Sequence, residues 1–421
     1  MRSQFVQIGI VGLVALSLIA CSDDKRELLA PQAPSKLIIF NPPPRLQNPD
    51  DFLDIAAGDY HTCARKRNGN VYCWGVEGGP VDSVPKLMWQ GATQIDAGSS
   101  HTCGLNSAGA AYCWGGGNQG QLGLGNGQYT TYNTPWPVAG PGWNGTPLVY
   151  TSIGAGGYST CGTASTGVFC WGQLGNTLNP SVGVASPTLI TNAGGTSYSG
   201  FTSLAVGVDH ACGYINWAEV ADCWGGDNFG QAGVDPTTAI FYPGTSIVMF
   251  TMPNQLGNAV ARVSAGSDFT CADMTGGGVE CFGYNLYGQL GNGNSGSGTN
   301  TFIPQTVSGS GQFHGVSAGV VHACALDQNG AAFCWGNGLS GQLGNGASVA
   351  SSSTPLAVTG GHTYRAIAAG RLHTCAIGTD NHIYCWGQNN SRQLGTWIFD
   401  ANGHVVTNGF SPNPVQAQDP K

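Results

Sequence analysis

Seven times the chain repeats one short pattern. An Ala-Gly or Val-Gly pair is followed by two variable residues, a position that is usually histidine, a cysteine two places on, and a second cysteine nine to eleven residues later with an aromatic-Gly pair behind it. The copies span 56–75, 96–115, 154–172, 205–225, 264–283, 317–336 and 368–387. Their first cysteines stand at 63, 103, 161, 212, 271, 324 and 375, a mean step of 52 residues. A period near fifty with strand-like content predicts an array in which each unit buries its apolar face against the next, a propeller or a solenoid.

Within a copy, Val71 and Cys73 alternate with Tyr72 and Trp74, a period of two that marks a strand. Five copies separate their cysteines by ten residues with one turn cluster between them. If Cys63 faces Cys73 across an antiparallel hairpin, the loop is Arg67-Asn68-Gly69. A three-residue hairpin wants a left-handed residue at its third position. The residues there are Gly69, Gly109, Gly277, Gly330 and Asn381, types that tolerate this conformation. Facing residues of a hairpin lie within disulfide reach. The expected pairs are therefore Cys63–Cys73, Cys103–Cys113, Cys271–Cys281, Cys324–Cys334 and Cys375–Cys385. Cys161–Cys170 and Cys212–Cys223 follow with offsets of nine and eleven, and so with different turns. Of 15 cysteines, seven pairs leave one, Cys21.

Arg2 precedes an apolar run from Ile8 to Ala20, too short for a membrane span and shaped like a secretion signal. The run ends in Leu18-Ile19-Ala20-Cys21, which resembles the bacterial lipobox. That resemblance implies cleavage before Cys21, a signal peptide over 1–20, lipidation of the Cys21 thiol, and several acyl chains as a stable anchor. Ser22 rather than Asp after the cysteine favours the outer membrane. Export also supplies the oxidising setting in which disulfides persist. Residues 21–50 read as a tether: Asp23 to Glu27 is charged, and prolines follow at 31, 34 and 42–44. One apolar patch, Leu37 to Phe40, is a candidate edge strand inside it.

With AG-x-x-H-T-C, then G-x-x-Y-C-W-G, then G-Q-L-G, the repeat resembles that of the regulator of chromosome condensation (RCC1) family. G-Q-L-G stands at 120–123, 288–291 and 341–344, with variants at 230–233 and 392–395. The resemblance covers about residues 52–416 and implies an all-β fold, a seven-bladed β-propeller of four-stranded blades over 51–421. The chain departs from the family in placing cysteines where an apolar and a small polar residue are usual. Gly75 to Pro85 lacks G-Q-L-G, so blade one is expected to be truncated or irregular. Ring closure is expected to join Pro412–Gln416 to the blade begun by Phe52–Ile55. The nuclear member's nucleotide exchange needs an inserted wedge and a nuclear GTPase, and nothing here matches either.

Chemistry-bearing motifs are sparse. Histidine recurs at 61, 101, 210, 322 and 373 and is replaced by Ser159 and Phe269, a distribution that suits a structural residue hydrogen-bonding backbone within its own blade. The recurrent Trp74, Trp114, Trp171, Trp224, Trp335 and Trp386 are expected in blade packing. Gly315-Val316-Ser317-Ala318-Gly319 matches a nucleophile elbow in form, but its slot holds Ala56, Asp96 or Gly154 in other copies and leads into a strand. No HExxH, CxxC, phosphate-loop or EF-hand spacing occurs. The reading is therefore no catalysis, no cofactor and no metal. A net charge of −8 with 14 Lys and Arg, clustered only at Arg65-Lys66-Arg67, gives nucleic acid no electrostatic footing.

What varies between copies is the loops, where function sits on a rigid scaffold. Tyr60, Tyr158, Phe229, Tyr284 and Tyr287 fall at those positions and supply anchors of the kind that dominate protein interfaces. An insert at 124–149 carries Trp136 and Trp143, readable as a second recognition element or as aromatics folded back onto a blade edge. The expected function is a monomeric, membrane-anchored scaffold at the bacterial cell envelope that binds another macromolecule, most simply a protein, through rim loops. Two further readings are an inhibitor of a secreted or periplasmic enzyme, implied by a secreted family branch that inhibits β-lactamase, and a glycan- or peptidoglycan-binding protein using the aromatic insert.

Overall fold

A computed structural model of the chain describes residues 48–77, 82–125, 127–141, 145–173, 183–191, 197, 199–215, 220–236, 250–251, 260–309, 313–398 and 409–420. Cys21, the Leu37–Phe40 patch, the tether and Trp143 lie outside these residues.

The alternating segments form strands, and among the described residues there is no helix. Strands β1 (Phe52–Ala57), β2 (His61–Lys66), β3 (Val71–Gly75) and β4 (Asp82–Trp89) make one antiparallel sheet in that order. Six further four-stranded sheets follow, over 92–137, 150–189, 203–251, 260–306, 314–357 and 364–416, each joining its strands in chain order. The first strands of neighbouring sheets contact one another, and the first sheet contacts the seventh. The result is a seven-bladed propeller with the first strands innermost.

The hairpin register is the one that the cysteine spacing requires. Cys63 faces Cys73, and Lys66 N–H donates to Asn70 O at 2.8 Å across the three-residue loop. The third loop residues are all left-handed, with φ of 85° at Gly69 and 69° at Asn381. Seven disulfides cross the second and third strands of the seven blades, with Cα atoms 4.0–4.1 Å apart.

The core lies between blades. One cluster joins Ala56, Val71 and Cys73 of the first blade to Ala92, Ile95 and Trp114 of the second. The closing seam is built alike, with Phe52, Ile55 and Trp74 against Ile377, Ile383 and Leu394. Packing a flat apolar blade face on its neighbour is what makes the array close, because an open end would leave such a face in water.

Two expectations about the ends of the ring are corrected. The C-terminal strand Phe410–Gln416 does not join the first blade. It pairs with Ile383–Gln388 as the outer strand of the seventh, Cys385 facing Val415. The ring thus closes by packing and local hydrogen bonds, without an exchanged strand. The first blade is also complete, because Asp82–Trp89 pairs with β3 although G-Q-L-G is missing.

Candidate functional site

In an antiparallel four-stranded blade, the first–second and third–fourth connections lie at the same end. That end, here the rim, therefore gathers the variable pairs after each Ala/Val-Gly and the loops after each aromatic-Gly.

At its centre the Gly loops join into a collar. Asp59 N–H donates to Ser99 O at 3.0 Å, Ser99 N–H to Gly157 O at 2.9 Å, and Arg371 N–H in the last blade to Gly58 O in the first at 3.3 Å. A Cβ at Gly58 would fall 2.4 Å from Gly98 O, so the collar needs glycine there. The space that these loops line amounts to about 30 Å³, room for a water or two and too little for an organic ligand.

Beneath the collar, each recurrent histidine reaches into the next blade. Nε2 of His61, His101, His210, His322 and His373 lies 2.8–2.9 Å from Oγ1 of Thr102, Thr160, Thr270, Thr374 and Thr62 respectively. This corrects the expectation of a bond within the blade. Thr62, Thr160, Thr270 and Thr374 hydroxyls in turn donate to the backbone carbonyls of Gln393, Gln121, Gln231 and Gln342 at 2.8–3.0 Å. With the hydroxyl proton so committed, the histidine Nε2–H must donate, which assigns its tautomer. Burial holds His61 neutral, its pKa lowered to about 4, and does the same for His322 and His373 at about 3. The replacements now make sense in pairs. Ser159 precedes a blade carrying Ala211 in the threonine slot, and Phe269 precedes one carrying Ala323. Histidine is absent where its acceptor is absent. That covariation was visible in the sequence and is the signal that a single-blade reading passes over.

Carbonyls at this loop glutamine position also accept from tryptophan. Nε1–H of Trp74, Trp171, Trp335 and Trp386 donates to O of Gln393, Gln121, Gln289 and Gln342, each at 2.9 Å. The first blade has no such loop for its neighbour, and a side chain takes over. Trp114 Nε1–H donates to Glu77 Oε2 at 2.8 Å, and the Thr102 hydroxyl donates to Glu77 Oε1. His61 Nε2 lies 3.4 Å from that oxygen. Burial raises the Glu77 pKa to about 8, against the pull of these hydrogen bonds, and the charge of Asp82 adds to the rise. His61, Cys63 and Glu77 bring metal-ligating atoms within 4.8 Å of one another, but Cys63 is bonded to Cys73 and offers no thiolate. Ser317 is fully buried, its Oγ accepting Ala369 N–H from the next blade at 2.9 Å. Ser264 does the same for Ala318, so this serine slot serves the seam.

The aromatic candidates divide. Tyr60 and Tyr158 project from first–second loops and are 37% and 44% exposed. Phe229, Tyr284 and Tyr287 stand on third–fourth loops at the same end, and the rings of Phe229 and Tyr284 meet across blades four and five at 4.7 Å. Leu339, 62% exposed, is an apolar rim residue that the sequence reading did not single out. Trp136 is not part of this group. It lies in the outer strand Tyr132–Pro137 of the second blade, 45% exposed and stacked on Tyr132 at 4.7 Å.

Charge is uneven around the rim. Asp59 is 3.6 Å from Arg371, whose guanidinium also donates to the Tyr60 hydroxyl at 2.6 Å. At blades four and five, Asp209, Asp227 and Asp268 stand together. Burial raises Asp227 to about 7 and raises Asp268 as well, and in each case the charge of Asp209 adds to the effect.

Comparison with known proteins accords with this architecture. Family models described as "Regulator of chromosome condensation (RCC1) repeat" match residues 52–77, 92–121, 313–342 and 364–393, and also 277–326 and 329–377. The "Ultraviolet-B receptor UVR8" of Arabidopsis thaliana is 28% identical over 242 residues, 56% of this chain and 50% of that protein. The "Regulator of chromosome condensation" of Mus musculus is 31% identical over 135 residues, 31% of each chain. The chain thus spans half or less of the length of these curated relatives. Among solved structures, Prp20p from Saccharomyces cerevisiae superposes with a TM-score of 0.66 at 17% identity, covering 88% of both chains. Human WBSCR16 gives 0.64 at 19% identity, covering 82% of this chain and 89% of that one. By its repeats and its seven blades, the chain belongs to the regulator of chromosome condensation (RCC1) repeat family.

Proposed function

We propose that the chain is a non-catalytic scaffold that docks another protein on its rim end, tethered to a bacterial envelope membrane through a lipidated Cys21. The observation that carries the docking reading is the gathering of Tyr60, Tyr158, Phe229, Tyr284 and Tyr287 at one end of a rigid ring, on positions released from the repeat pattern. Large, stiff aromatics on a preorganised surface cost little entropy to bind. The Leu18-Ile19-Ala20-Cys21 run and the proline-rich stretch behind it support the tether. Prp20p, the yeast protein that shares this fold, has binding properties to Gsp1p and histones. That precedent supports a macromolecular partner for such a propeller without naming one here.

Affinity capture tests the reading. Full-length chain should recover a defined protein from envelope extracts, and Tyr60→Ala with Tyr158→Ala should lose it. Metabolic labelling with a palmitate analogue should mark the wild type and not Cys21→Ser. Hydrolysis of an envelope substrate by the purified chain would overturn the non-catalytic reading. If the captured protein is an enzyme and loses activity on binding, the scaffold is an inhibitor. Exposed Trp136, stacked on half-buried Tyr132, favours one other reading, a glycan platform on the propeller's side. Retention of polysaccharide alone, abolished by Trp136→Ala, would establish it.

A further inference from the structure

We infer that the rim seam between blades four and five is a recognition site for a guanidinium group, an arginine side chain offered by the protein partner. The inference rests on the protein-docking reading above and adds the chemistry and the location.

Among the described residues, no Lys or Arg forms an ion pair with Asp209, Asp227 or Asp268. The cation-capable neighbour of Asp209 is His210, whose Nδ1 is 3.5 Å away. Asp59, by contrast, has Arg371. The chain therefore compensates one sector of the rim and leaves the other negative, and the missing charge is one that a partner can bring.

Asp227 shows that the imbalance is built in. Its slot holds asparagine in two other blades, where the amide donates to the loop: Asn285 Nδ2 to Asn294 O at 3.1 Å, and Asn389 Nδ2 to Thr396 O at 3.0 Å. The common acceptor role survives, since Asp227 Oδ1 takes Ala232 N–H at 2.7 Å, as Asn285 Oδ1 takes Leu290 N–H at 3.0 Å. The donor half does not. Asp227 is fully buried, and its Oδ2 has no hydrogen-bond partner. A buried carboxylate oxygen without a partner is costly, and a cation placed over Asp209 and Asp268 would offset that cost through its field.

The aromatic pair selects the kind of cation. Phe229 and Tyr284 meet at 4.7 Å, and Tyr284 N–H is bonded to Asp268 O at 2.8 Å, so rings and carboxylates belong to one surface. A guanidinium is flat, stacks on aromatic faces and donates in pairs to carboxylate, whereas an ammonium does less of each. A divalent metal ion suits the site poorly. It wants oxygens converging on one point, and among the described residues the one cluster of at least three such ligands is His61, Cys63 and Glu77, in the first blade.

The test titrates full-length chain with a fluorescent peptide of alternating arginine and glycine. A lysine–glycine peptide, a glutamate–glycine peptide and calcium chloride serve as separate probes. The arginine peptide should bind, more tightly than the lysine peptide and less tightly as salt rises. Asp209→Asn with Asp268→Asn should weaken it about tenfold, and Phe229→Ala by about threefold, with unchanged thermal unfolding midpoints. Equal binding by wild type and the double variant overturns the inference. So does comparable affinity for the glutamate peptide, or saturable calcium binding that the same variants lose. A captured partner protein that binds the double variant undiminished overturns this site alone and leaves the docking reading standing.

Discussion

Nε2 of His373, in the last blade, lies 2.9 Å from the hydroxyl of Thr62, in the first. These residues are 311 positions apart, and their bond closes the ring with the device that joins its interior seams. Removing the hydroxyl orphans the buried histidine donor and leaves the Gln393 carbonyl with Trp74 Nε1–H alone. Thr62→Ala should cost about 1–3 kcal/mol in denaturant unfolding. The chain itself supplies the compensating change, because Phe269 faces a blade with Ala323 in the threonine slot. Thr62→Ala combined with His373→Phe should recover part of the loss. A double-mutant cycle showing strict additivity would contradict the coupling.

The seams also set the dependence of stability on pH. His61, His322 and His373 have folded pKa values well below the ordinary 6.5. Their contribution is complete above 6.5 and is lost as pH falls toward 4 and below, since the unfolded chain takes up protons that the seams exclude. Glu77 acts in the opposite direction. Its folded pKa, near 8, exceeds the ordinary 4.5, so its contribution is complete below 4.5 and is lost as pH rises through 8. Three histidines outweigh one glutamate below 6.5, so unfolding free energy should fall on both sides of a maximum near pH 7, steeply on the acid side and shallowly on the alkaline side. Glu77→Gln should flatten the alkaline limb and leave the acid limb in place.

The disulfides should matter less to closure than their number suggests. Each spans nine to eleven residues within one hairpin, a small loop whose cross-link is worth about 2–3 kcal/mol at most. Thiol titration of denatured, unreduced chain carrying Cys21→Ser should find no free sulfhydryl. Replacing Cys324 and Cys334 together by alanine should lower the melting temperature while leaving the sedimentation coefficient unchanged. Bridges between blades, found by peptide mapping, would contradict the assigned pairing.

How much of this was legible depends on whether a feature is local. The hairpin turn could be read because Gly69 and Asn381 occupy a position that backbone sterics reserve for them. The cysteine pairing followed, since a hairpin register fixes which residues face each other. The structural role of the histidines is legible but their partners are not, because Thr102 meets His61 only after two blades pack. Glu77 is hidden for the same reason. Nothing in Val76-Glu77-Gly78 says that its carboxylate stands in for a loop carbonyl, and only the vacancy left by the absent G-Q-L-G points there. Rim residues are legible as those freed from the pattern, whereas the pattern leaves open whether Trp136 joins them or lies on a blade edge, and pairing of Tyr132–Pro137 as an outer strand decides for the edge.

Asn381 joins turn chemistry to ring closure. It takes the left-handed position that glycine holds in four other hairpins, with φ of 69°. Its side chain explains why glycine is not used here. Oδ1 accepts Phe52 N–H at 2.9 Å, and Arg365 donates both to that oxygen, at 2.7 Å, and to Phe52 O at 2.8 Å. The amide thus fixes the entering strand of the first blade against the seventh. Asn381→Gly should keep the turn and lose the clamp, costing about 1–2 kcal/mol. Asn381→Ala should cost about 1 kcal/mol more, because alanine resists the left-handed conformation. Hydrogen exchange at the Phe52 amide should rise in both variants. An unchanged rate there, with the same loss of stability, would assign the whole effect to the turn.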